Sequence, residues 1–109
     1  MNREETLMDH EYDQRQYGRM HEVIAAFEIG NLRLATLITN LEALLKSVRT
    51  ADPAWREQFQ HEWGKIEDAY AFALDQGAPD LSAESRALVS GALVQLKELI
   101  SQQLAARKA

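Results

Sequence analysis

Cysteine is absent from the 109-residue chain, so neither a disulfide framework nor thiol chemistry is open to it. No apolar run approaches the ~20 residues that a membrane-spanning helix needs. The opening MNREETLMDH also lacks the apolar stretch of a secretory signal. These absences predict a cytoplasmic location. Basic charge is scarce as well: 12 Lys and Arg against 17 Asp and Glu give a formal charge of −5. Nucleic acid and anionic membranes are recognised through clustered Lys and Arg, so neither is expected as a partner.

Catalytic signatures are missing too. There is no serine nucleophile elbow, no Gly-rich phosphate loop and no dinucleotide fingerprint. The stretches His21-Glu-Val-Ile-Ala and His61-Glu-Trp-Gly-Lys lack the second His at i+4 that a metalloprotease helix requires. Glu57 and His61 lie four apart and come nearest to a metal pair. The inward Glu residues and paired Glu-x-x-His motifs of a di-iron bundle do not accompany them, and we read them as a solvated surface pair. A DNA-reading helix would be basic, whereas residues 83–104 carry just Arg86 and Lys97. No enzymatic activity, metal or cofactor is expected.

What the chain does have is helical periodicity. Apolar residues at 34, 37, 38, 41, 44, 45 and 48 follow the i, i+3, i+4, i+7 template. Similar stripes run from Trp55 to Leu74 and from Leu88 to Leu104. The prolines and glycines punctuate them. Residues 1–12 are polar and unpatterned and are predicted to form a flexible N-terminal segment. A first helix is predicted over about 13–29, with Tyr17, Met20, Val23, Ile24 and Phe27 inward and Gly30 as a left-handed cap. Asn31 stands where a turn or N-cap would fall, and a second helix follows to about Val48. Asp52 and Pro53 suit the N-cap and first position of a third helix that runs to Gln76 and stops at Gly77. Gly77-Ala-Pro-Asp breaks the chain, Ser82 caps, and a fourth helix runs from Ala83 to about Leu104, leaving 105–109 as a frayed tail. Short loops make successive helices antiparallel. The expectation is an all-α, compact antiparallel bundle of about four helices, a single domain over 13–104. Leu34, Leu41 and Val48 are one heptad apart, but two heptads are too few for a coiled coil, so they are assigned to packing within the bundle.

The fourth helix has the widest apolar arc, roughly 160° from Leu88, Val89, Ala92, Leu93, Leu96, Leu99, Ile100 and Leu104. Either it touches two neighbours at once, or one flank joins a second subunit. A homodimer of structural or regulatory role would then bury Val89, Leu93 and Leu104.

The third helix offers the functional clue. Trp55, Phe59, Trp63, Ile66, Tyr70 and Ala73 share an arc of about 80° and form its core face. Glu57, Asp68 and Asp75 lie almost opposite, with His61 and Phe72 at the flank and Gly64 on the same side. Residues 52–84 hold eight acids against Arg56 and Lys65, which is most of the chain's negative field. An aromatic with carboxylates at i−4 and i+3 fits an interface anchor within an acidic patch that steers basic partners. The alternative is that Phe72 packs on the first helix or the loop after Gly77, and that Gly64 merely accommodates Trp63.

The stretch LITNLEALLKSV (37–48), followed by Asp52-x-x-Trp55, Phe59, Trp63-Gly64, Ile66-Glu67, Tyr70-Ala71-x-Ala73-Leu74-Asp75-x-Gly77 and a closing Leu81-Ser-x-Glu84, resembles a family of small, acidic, all-helical bacterial proteins, mostly uncharacterised. The likeness covers residues 20–100. It implies a role in toxin–immunity systems, in which an antidote binds and neutralises a toxin domain. On that footing the expected function is a non-enzymatic, immunity-type binding module. Its partner would be a basic toxin domain, met through Glu57, His61, Asp68, Phe72 and Asp75.

Overall fold

The computed structural model describes residues 3–77 and 80–108. Four helices follow one another: α1 (Arg3–Glu28), α2 (Leu34–Ser47), α3 (Pro53–Asp75) and α4 (Ala83–Lys108). Each packs on its neighbours in sequence, and α1 closes the ring against α4. The result is the all-α antiparallel bundle that the periodicity predicts.

The chain breaks where its small and capping residues direct. Gly30 takes φ +85°, and the Asn31 and Gly30 amides donate to Ala26 O at 2.8 Å and Phe27 O at 3.0 Å. These paired bonds satisfy the last carbonyls of α1 and need a residue that tolerates the left-handed conformation. Asp52 accepts from the Ala54 amide at 2.8 Å, with Pro53 in the first turn. Gly77 has φ +64°, and Ser82 Oγ accepts from the Ser85 amide at 3.1 Å. The break expected at Ala78-Pro79 lies outside the described residues.

Three boundaries differ from expectation. Helix α2 starts at Leu34, with Arg33 rather than Asn31 at its N-cap. The Asn31 amide is already committed to closing α1, and Leu32 first tucks partly against the core. Helix α1 begins at Arg3, so residues 3–12 belong to it, while Met1 and Asn2 lie outside the described residues. The cause is polar, and apolar periodicity is blind to it. Asp13 is 1% exposed, and its carboxylate accepts from the Arg49 amide at 2.9 Å, the Thr50 amide at 2.8 Å and the Thr50 hydroxyl. Asp9 pairs with the Arg49 guanidinium at 3.0 Å, and that guanidinium lies 4.0 Å from the centre of the Tyr12 ring. The start of α1 is thus fastened to the α2–α3 joint. At the other end α4 runs through the predicted tail to Lys108, with Ala109 outside the described residues.

The predicted apolar faces meet in one core, except at the end of α3. Tyr70 and Ala73 there are only half-buried and border an open cleft, because the bundle does not close around them. Met20, Ile24, Leu37, Leu41, Phe59, Ile66, Leu96 and Ile100 are fully enclosed. Val89 and Leu93 are also inside the core, at 3% exposure each, and Leu104, the third residue named for a homodimer flank, packs against it half-buried. Leu88, placed in the core by its spacing, is instead 45% exposed. It lies in the second turn of α4, on the side away from the closed interior.

Tyr17 meets Trp55 edge-on across the diagonal of the bundle, with ring centres 5.5 Å apart. Its hydroxyl is buried without a hydrogen-bond partner among the described residues. Burial, reinforced by the nearby Asp13 carboxylate, pushes its pKa up to about 12 against the pull of Arg56. The unfolded chain releases this proton near pH 10 and the folded chain does not, so folding stability falls as pH rises from 10 towards 12. Tyr17→Phe is expected to be at least as stable as wild type at pH 7, since it removes an unsatisfied buried group. Its advantage should grow by on the order of 2 kcal/mol by pH 12. Urea melts at the two pH values check this, and a destabilised variant at pH 7 would show that the hydroxyl is engaged.

Candidate functional site

Two indole N–H groups set the orientation of α3. Trp55 Nε1 donates to Leu99 O at 2.9 Å, and Trp63 Nε1 donates to Ile38 O at 2.9 Å. One ties the helix to α4 and the other to α2, and both buried donors are satisfied. The opposite side of α3 therefore faces outward along its whole length.

That outer side carries the predicted residues. Glu57, His61, Asp68, Phe72 and Asp75 are all exposed, Phe72 to 57%. Together with Gly64 they recur at helical spacing as one stripe. Phe72 does not pack on α1. It borders a shallow depression of about 560 Å³ with Ser82, Glu84, Ser85, Ala87 and Leu88 at the start of α4. Leu88, which spacing misassigned to the core, is its exposed apolar neighbour there. Glu57 and His61 border a different depression of about 530 Å³, shared with Gln58, Glu62, Gln95 and Glu98. From Glu57 to Phe72 is roughly 22 Å along the helix axis. The five residues thus share a face but do not converge on one pocket.

The stripe keeps its negative charge. Lys65 is drawn to Glu62 at 3.0 Å, and the Arg56 guanidinium donates to the Leu45 and Val48 carbonyls that end α2. The two bases of residues 52–84 are therefore occupied elsewhere. Among the described residues Glu57, Asp68 and Asp75 make no ion pair. His61 Nε2 stands 3.9 Å from Glu62, with its ring largely in water. Among the described residues no three His, Asp or Glu side chains come together in a way that could hold a metal ion. No helix among them is long and apolar enough to cross a membrane.

Gly64 sits in the middle of this stripe, and a Cβ there would meet nothing within 4 Å. Beyond its two chain neighbours, no residue crowds the position. A mid-helix glycine lowers helix stability by about 1 kcal/mol relative to alanine. Gly64→Ala is accordingly expected to raise stability by about that amount, read as a rise of roughly 4–6 °C in Tm. A fall in Tm would mean that the backbone at 64 is constrained in some other way. Comparison with protein-family models, curated proteins and solved structures finds no match to this chain.

Proposed function

We propose that the chain is a non-enzymatic protein-binding module of the immunity type, which occludes a basic toxin domain with the outer face of α3. The observation that carries this reading is Phe72. It is a large aromatic, 57% exposed, between two carboxylates that no base neutralises among the described residues. An exposed aromatic with Leu88 beside it supplies apolar area for a buried centre. Glu57, Asp68 and Asp75 supply the field that orients a basic partner and raises its rate of encounter. Gly64 leaves bare backbone in the middle of the stripe, where a partner's surface can approach closely. The resemblance of residues 20–100 to a mostly uncharacterised family of small, acidic, all-helical bacterial proteins implies the same role, and the cysteine-free chain suits an encounter in the cytosol.

The module acts as a single chain in this reading. Light scattering at high micromolar concentration should give a mass near 12.4 kDa, whereas a stable dimer would contradict it. Association with the partner should slow as salt rises from about 0.05 to 0.5 M, because the Debye length shrinks from roughly 14 Å to 4 Å. An association rate indifferent to salt would remove the electrostatic part of the proposal.

A further inference from the structure

All four helices border an open cleft of about 660 Å³ at the end of the bundle where α1 finishes and α4 begins. Its wall is apolar, formed by Phe27, Leu34, Tyr70, Leu74, Leu81 and Val89. Leu74 stands at its mouth, 64% exposed, so the chain leaves apolar surface open there. The volume lies within the roughly 300–1,000 Å³ of sites that hold small molecules.

The charge of this cleft is opposite to that of the chain. Arg33 and Arg86 line it together with one acid, Asp80. Neither guanidinium has an ion pair or hydrogen bond among the described residues. A protein with a net charge of −5 thus places two unpaired cations on the rim of an apolar cavity. Arg33 is also the N-cap of α2, which has no side-chain cap and no acid in its first turn. Asp52 and Ser82 fill that role for α3 and α4.

From this combination we infer that the cleft binds a small apolar carboxylate. The head group would sit against Arg33 and Arg86, whose planar guanidinium groups match carboxylate geometry. The hydrocarbon chain would lie on the wall from Leu74 to Val89, releasing water from surface that the monomer leaves exposed. A cationic amphiphile would face the same arginines and be repelled. The site shares no residue with the outer stripe of α3, so it stands or falls independently of partner binding.

Titration of the full chain with decanoate below its micelle-forming concentration, followed by amide chemical shifts, tests the assignment. Saturable binding is expected, with the largest shifts at residues 33–35, 70–74 and 81–90. The exposed double variant R33Q/R86Q should keep the wild-type Tm and bind at least tenfold more weakly, and decyltrimethylammonium should not saturate. Three results would each overturn the inference: no saturable shift with decanoate, equal affinity in the double variant, or equal binding of the cationic amphiphile.

Discussion

Asp13→Ala should destabilise the chain by about 3 kcal/mol, the largest loss expected from any polar substitution in it. The carboxylate is 1% exposed and accepts from two backbone amides and one hydroxyl of the α2–α3 joint. Hydrogen bonds to a charged acceptor contribute roughly 1.5–3 kcal/mol each, and removing the acceptor leaves two part-buried backbone amides without it. Such losses are not additive, which is why the total is set near that of the strongest bond rather than at the sum. Domains of this size are stable by about 5–15 kcal/mol, so the variant should still fold, with a Tm lower by roughly 12–20 °C. Asp13→Asn keeps one acceptor oxygen and should lose about half as much. Urea unfolding measures both. A loss under about 1 kcal/mol for the alanine variant would mean that the Arg56 bonds to Leu45 and Val48 hold the joint unaided.

The double variant Phe72→Ala with Asp68→Lys should abolish partner binding while leaving the fold intact. Both side chains are exposed and outside the core, so a Tm change within a few degrees is expected. Truncating a central aromatic anchor costs about 2 kcal/mol or more, and reversing a charge beside it adds repulsion against a basic surface. Together these predict at least a hundredfold weaker complex. Retention on the variant bait relative to wild type reads the effect. A folded double variant that binds as wild type does would remove the outer face of α3 from the interface.

Much of the architecture was legible because the end of α1, both ends of α3 and the start of α4 are written by residues with a physical reason to be there. Gly30 and Gly77 adopt left-handed conformations, Asp52 and Ser82 accept first-turn amides, and Pro53 opens a helix. The core face of α2, and that of α3 from Trp55 to Ile66, likewise follow from a period of 3.6. Tyr70 and Ala73, on the same arc, are instead half-buried beside the open cleft. What escaped was tertiary and polar. The first turns of α1 are held by Asp9, Tyr12 and Asp13 reaching Arg49 and Thr50, and no local pattern announces a contact made across the bundle.

The candidate surface was half legible. Its stripe on α3 follows from spacing, as the face left over once the tryptophans are turned inward. Whether Phe72 would be covered depended on how the start of α4 lies, which spacing within α3 does not contain. Leu88 was misassigned for the same reason: its helical phase fits the core of α4, but the bundle does not extend around it there. The cleft beside Arg33 and Arg86 was not foreseen, because it is assembled from the ends of four helices and belongs to the periodicity of none.

Affinity capture from the native organism, with the full chain as bait and washes at low and high salt, tests the central claim most directly. The account predicts one stoichiometric basic partner, retained at low salt and released at high salt. A partner that is acidic, or whose retention ignores salt, would contradict it, as would capture of the chain by itself alone.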